Sequence, residues 1–277
     1  MRGAGSLLAI ALCVASSIAA NGLPLTDALA GALRGTQASA VVLDMKTGAV
    51  LATVGEARRG ATGSTIKPLL LEYALEHGVV RAGTEVYCRR DLRVGARALP
   101  CSHPADEPVF TAERALAESC NTWFAEMARR FSGVGLEEAL RETHLPHRSM
   151  EGANVEQRQL AVLGLAGVTA TPLELAQAYR DLLLRLPADG VVMRGLLGSV
   201  SYGMASPARV PGLAGHAILG KTGTASDPGE AWTHGWFAGA IPGRLVLVVY
   251  VPHGDGGTAA GLAQRFFRGV AADGPAR

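Results

Sequence analysis

The apolar spacing of this chain changes period twice, and that order limits the folds open to it. Residues 26–34 carry helical spacing that Gly35 stops. The runs 38–44 and 49–54, rich in Val, Leu and Ala, flank Met45-Lys46-Thr47-Gly48 and predict a hairpin with both strands half buried. From 64 to 76 the pattern turns helical and strongly apolar through Ile66, Leu69, Leu70, Leu71, Tyr73, Ala74 and Leu75, which predicts a helix buried on most sides, with Pro68 in its first turn. Further helices are predicted at 111–119, 122–131, 136–143 and 171–184. The last opens with Thr171, Pro172 and Glu174, a capping box ahead of an apolar face. Beyond Gly203 three strand-like runs, 217–224, 235–241 and 244–251, precede an amphipathic helix at 258–272, and Pro242-Gly243 turns the chain between the last two strands. Strands, helices, strands and a final helix predict an α+β fold. Its sheet, of about five strands, draws on both chain ends, 26–63 and 204–273, with a helical lobe at about 69–203 inserted between them.

Charge and the N-terminus bound the function. Lys and Arg total 26 against 24 acidic residues, so the formal charge of +2 gives no footprint for a polyanion, and no nucleic-acid partner is expected. Outside the N-terminus no apolar run reaches the roughly 18 residues that a bilayer span needs, which excludes a multi-pass architecture. Residues 1–20 hold Arg2, an apolar stretch from Leu7 to Val14 and a small-residue end at Ser17, Ala19 and Ala20. That is the pattern of a cleavable export signal, with a retained membrane anchor as the alternative, and 21–277 then form a single domain. Cleavage removes Cys13. Of the three thiols left, Cys88 and Cys101 bracket an Arg-rich loop and are expected to pair; closing that loop would restrict the unfolded chain by about 3 kcal/mol. Cys120 is expected to be a buried thiol. No C-x-x-C or Cys/His group with zinc spacing occurs, so neither metal nor cofactor is expected.

Three short patterns carry chemistry: Ser64-Thr65-Ile66-Lys67, Ser119-Cys120-Asn121 and Lys221-Thr222-Gly223. Singly they are weak, since S-x-x-K or S-x-N arises by chance about 0.7 times in a chain of this length. Position strengthens them. Ser64 opens a buried helix, where backbone N–H groups and the helix dipole favour negative charge, and Lys67 follows one turn later on the same face. A serine hydroxyl attacks only after a base takes its proton, and a lysine serves as that base only where burial and a neighbouring cation depress its pKa; Lys221 is a candidate for that cation. Arginine cannot do this. Only Lys46, Lys67 and Lys221 among the 26 cationic residues are lysine, and two of the three fall in these patterns. Blander readings compete: Ser64 as a cap beside a surface lysine, and Ser119 and Asn121 as helix caps. Lys46-Thr47-Gly48 reads as the hairpin turn, and Trp232, His234 and Trp236 as core.

Taken together the patterns resemble those of the penicillin-binding transpeptidases, the serine acyltransferases that also include the serine β-lactamases. The likeness extends through Thr62 to Pro68, Glu118 to Phe124, Val168 to Leu173, and Lys221 to Ala225 leading to His234-Gly235-Trp236-Phe237, and it covers about 37–270. It implies a β-lactamase/transpeptidase-like antiparallel sheet with flanking helices. It also implies Ser64 as acylated nucleophile, Lys67 as base, Ser119 as proton relay and Asn121 as holder of Lys67 and the substrate amide. Lys221 and Thr222 would bind the substrate carboxylate, Gly223 would admit the ligand to the strand, and the backbone N–H groups of Ser64 and Thr224 would form the oxyanion hole. The implied substrates are peptidoglycan stem peptides ending in D-Ala-D-Ala, with β-lactam antibiotics as mimics and other cell-wall synthesis proteins as partners. The implied location is the periplasm or the outer face of a bacterial cytoplasmic membrane. With neither a glycosyltransferase module nor a pedestal domain upstream, the enzyme is expected to be free-standing or partner-dependent. No E-x-x-L-N run is present, and the middle motif ends in Asn121 where class D β-lactamases have Val. Transpeptidation therefore leads. A D,D-carboxypeptidase or class D-like β-lactamase, and a non-catalytic penicillin-binding sensor or scaffold, are the alternatives.

Overall fold

A computed structural model of the chain describes residues 22–105, 107–212 and 217–272. The expected signal at 1–20, with Cys13, lies outside the described residues. Among those described, no helix is long and apolar enough to cross a membrane.

Five antiparallel strands form the central sheet: β1 (Ser39–Asp44), β2 (Val50–Val54), β3 (Leu219–Ala225), β4 (His234–Ile241) and β5 (Leu245–Val251), in the order β2-β1-β5-β4-β3. The chain's first and last strands, β1 and β5, are therefore partners, with Ser39 opposite Tyr250 and Asp44 opposite Leu245. Alternation along each strand sends side chains into two separate cores. Val41, Leu43, Val246, Val248 and Trp236 join the helical lobe, while Ala40, Val42, Leu247, Val249 and Phe237 pack with α1 (Gly22–Leu33) and the C-terminal helix Gly256–Ala272 through Leu29, Phe266 and Phe267. The expectation that both strands of the hairpin are half buried holds for β2 and is corrected for β1. β1 is covered on both faces, and β2 is an edge strand with Val50 about half exposed.

The hairpin turn forms as expected, with the Asp44 carboxylate accepting from the backbone and side chain of Thr47 at 2.6 and 2.8 Å. The helical lobe contains α2 (Lys67–Glu76), α3 (Ala112–Ala117), α4 (Asn121–Arg130), α5 (Gly133–Glu142), α6 (Val155–Val162), α7 (Pro172–Arg185) and α8 (Val191–Ser201). Two of these, α6 and α8, have no counterpart in the sequence expectations. α7 begins as the sequence dictates: Thr171 Oγ1 accepts from the Glu174 amide at 3.3 Å and Glu174 returns the bond to the Thr171 amide at 2.8 Å. Trp236 and His234 are fully buried, but Trp232 is 48% exposed, a correction to its reading as core.

Candidate active site

The site forms where the edge strand β3 meets the start of α2. A 3₁₀ turn, Gly63–Ile66, carries the half-buried Ser64 and runs directly into α2, so that the Lys67 amide donates to the Ser64 carbonyl. Two glycines allow the turn to approach the strand. Gly63 has φ +53°, and a Cβ there would fall 2.7 Å from the Thr224 nitrogen. A Cβ on Gly223 would fall 2.6 Å from the Thr62 carbonyl oxygen and 3.1 Å from the Thr65 nitrogen. The backbone beside Ser64 and the amide of Thr224 are therefore neighbours. Thr224 is pinned in turn, its Oγ1 accepting from the Gly256 amide at 2.9 Å.

Lys67 is fully buried although it carries an amine. Its Nζ donates to Asn121 Oδ1 at 2.8 Å, to the Ser119 carbonyl at 3.0 Å and to Ser119 Oγ at 3.3 Å, and it sits 4.9 Å from the centre of the Phe124 ring. These contacts use all three donors of an ammonium. Burial pulls its pKa down to about 8, with the Cys120 and Cys101 sulfurs opposing that shift. From β3 the equally buried Lys221 donates to Ser119 Oγ at 2.9 Å and to the Thr222 carbonyl at 3.0 Å. Burial first, then the charge of Lys67, lowers the pKa of Lys221 well below its ordinary value. Burial, one of the two effects expected to depress Lys67, is thus the leading cause at both amines, and the proximity of the two charges adds to it.

Ser119 lies between the two amines with φ +57°, a left-handed conformation that costs a non-glycine residue about 1–3 kcal/mol. The surroundings hold it there: its amide donates to the Leu116 carbonyl at 3.3 Å and the next amide, of Cys120, to that of Ala115 at 2.9 Å. The capping alternatives fail on this geometry. No side chain caps α4, and Asn121 instead receives Lys67 and donates through Nδ2 to the Leu99 carbonyl at 3.4 Å. His234 is structural, its Nε2 donating to the Ala61 carbonyl at 2.8 Å beside the Trp236 indole N–H at 2.9 Å.

The structure does not form the expected Cys88–Cys101 disulfide. The sulfurs lie 3.6 Å apart, well beyond the about 2.05 Å of a bond, and two further groups share the space. Cys120 Sγ is 4.0 Å from Cys101 Sγ and His103 Nε2 is 3.5 Å from Cys88 Sγ. Sequence spacing gave no sign of this cluster, since the residues come from three separate segments. A second potential ligand group, Asp227, Glu230 and His234, is only partly buried, and Asp227 is engaged with the Ala61 amide at 2.9 Å.

The sequence profile of the penicillin binding protein transpeptidase domain matches residues 38–271. No curated protein matches the chain in sequence. Among solved structures it is similar to the D,D-transpeptidase domain of a peptidoglycan glycosyltransferase from Eggerthella lenta (TM-score 0.76, 19% identity, 90% of this chain and 81% of that one). It is similar also to Pseudomonas aeruginosa PBP2 in a complex with WCK 5153 (0.76, 19%, 91% and 75%) and to the transpeptidase domain of Burkholderia pseudomallei penicillin-binding protein 3 (0.75, 17%, 92% and 94%).

Proposed function

Because the chain belongs to the penicillin-binding protein transpeptidase domain family, we propose that it is a peptidoglycan D,D-transpeptidase that works through a Ser64 acyl-enzyme and binds penicillin. The observation that carries this reading is the convergence of two fully buried amines, Lys67 and Lys221, on the single hydroxyl of Ser119, beside the turn that holds Ser64. Burying two amines at one oxygen disfavours their charged forms, which suits a site that takes up and releases protons.

In this mechanism neutral Lys67 takes the Ser64 hydroxyl proton as Oγ attacks the carbonyl of the penultimate D-Ala. The oxygen of that carbonyl becomes an oxyanion, stabilised by the Ser64 and Thr224 amides. The C–N bond to the terminal D-Ala then breaks. Ser119 passes a proton to the departing amine and recovers one from the lysines, leaving an ester on Ser64. An acceptor amine attacks that ester, its nitrogen gives a proton to the neutral Lys67, and as the acyl C–O bond breaks that proton passes to Ser64 Oγ, which leaves the cross-linking amide and the free hydroxyl. Lys221 and Thr222 receive the terminal carboxylate, and Asn121 orients Lys67 and the substrate amide. With a peptidoglycan substrate the domain would work outside the cytoplasmic membrane, in the periplasm or on the membrane's outer face, a reading supported by the signal-like pattern of residues 1–20 in the sequence.

A fluorescent penicillin tests this reading. The wild-type chain should take up lasting label that Ser64→Ala does not, and stem-peptide substrates should yield cross-linked product. Rapid loss of label would indicate a β-lactamase. Release of D-Ala without cross-linking would indicate a carboxypeptidase, and a biological role that survives in Ser64→Ala would indicate a sensor or scaffold.

A further inference from the structure

We propose that Cys88, Cys101, His103 and Cys120 together bind one Zn²⁺ as a closed structural site that anchors the Ser119-Cys120-Asn121 turn. All four are buried, and their ligand atoms lie within 4.8 Å of one another. A tetrahedral zinc with Zn–S of about 2.3 Å and Zn–N of about 2.0 Å requires S···S edges of about 3.8 Å and S···N edges of about 3.5 Å. The observed separations are 3.6 Å for Cys88–Cys101, 4.0 Å for Cys101–Cys120 and 3.5 Å for Cys88–His103. These three separations match edges of a coordination tetrahedron, the other three pairs lie within 4.8 Å, and none approaches a sulfur–sulfur bond.

The surroundings suit a metal independently of those distances. His103 Nδ1 is 2.7 Å from the Pro104 carbonyl, which can only accept, so Nδ1 holds the proton and Nε2 turns its lone pair toward the sulfurs. Thr122 Oγ1 lies 3.2 Å from Cys88 Sγ and 3.7 Å from Cys101 Sγ, placed to donate to a thiolate. Three thiolates with one imidazole form a donor set that selects zinc over hard cations, and four protein donors leave no open position for chemistry. The consequence is mechanical. Cys120 sits between Ser119 and Asn121, whereas the other three donors lie on the 88–103 segment whose Leu99 carbonyl accepts from Asn121. A bound ion would clamp that segment to the strained Ser119 turn.

The test is metal content rather than turnover. The chain is purified under reducing conditions, loaded with Zn²⁺ and freed of excess. It should keep about one zinc per chain and release it when a mercurial blocks its thiols. Co²⁺ loaded instead should give the intense visible bands and sulfur-to-cobalt charge transfer of a tetrahedral thiolate site. Cys88→Ser and His103→Asn should each weaken zinc binding by more than the about 10- to 100-fold typical of losing a mere supporting partner. Should a variant fail to fold, the wild-type zinc content and cobalt spectrum decide alone. A wild-type chain that keeps no zinc, an octahedral cobalt spectrum, or a Cys88–Cys101 disulfide in the exported protein with no bound metal would each overturn the proposal. It does not depend on the acyl-enzyme: a zinc-bearing chain that penicillin fails to label leaves this inference standing and removes the other.

Discussion

Lys221 Nζ lies 2.9 Å from Ser119 Oγ, and Lys67 Nζ approaches the same oxygen from the opposite motif at 3.3 Å. One hydroxyl therefore meets an amine from 52 positions before it and another from 102 positions after it, and couples the two buried amines of the site. Most of the expected behaviour follows from that junction.

Lys67→Arg keeps a cation in place but installs a group that does not release its proton. Stopped-flow acylation by a chromogenic β-lactam should slow by about 10²- to 10⁴-fold, the usual contribution of a positioned base. Unchanged acylation would remove Lys67 from the role of base.

Acylation should rise with pH. The neutral amine is the competent form, and burial brings the Lys67 pKa to about 8, so the rate should climb through that pH and then level off. Stability should move the same way. Between about 8 and the unfolded value of 10.5 the unfolded chain binds more protons at this lysine, so the Lys67 contribution to unfolding free energy increases with pH across that window. Urea melts at stepped pH, compared with Lys67→Met, isolate it.

Gly223→Ala should separate the strand from the Ser64 turn, because the new methyl would meet the Thr62 carbonyl oxygen, a backbone atom with little room to yield. Over-packing of this kind costs about 1–3 kcal/mol, visible as a lowered Tm, and acylation should fall further than stability alone explains. Wild-type kinetics in this variant would contradict the close approach of Gly223 to Thr62 and Thr65.

Thr171→Ala serves as a control remote in role. Removing the capping box of α7 should cost about 1 kcal/mol of stability and leave the acylation rate unaltered once the protein is folded.

How far the fold was legible depended on whether a signal was local. The strands and the Lys67 helix were readable because apolar period and turn residues are short-range, and the capping box at Thr171 fixed the start of α7. α6 carries a similar local signal in Asn154 and Gln157, which bond reciprocally as a capping box. α8 was obscured by Gly195 and Gly198, poor helix formers; a Cβ on Gly195 would fall 2.8 Å from Leu116 Cδ2, which is where α8 packs on α3. β1 looked half buried because alternation cannot report that both faces are covered. At the site, the residue types at Lys67, Ser119, Asn121 and Lys221 were visible in sequence, but the backbone conformation of Ser119 was not. The four-donor group of Cys88, Cys101, His103 and Cys120 needed the fold itself, since only Cys101 and His103 are close in sequence.

The central claim is that Ser64 is acylated. Its most direct test is intact-protein mass spectrometry after incubation with penicillin, followed by peptide mapping. We predict one added penicillin mass per chain, on the peptide containing Ser64, and none in Ser64→Ala. An unmodified wild-type chain after prolonged exposure, or an adduct mapped to another residue, would contradict the account.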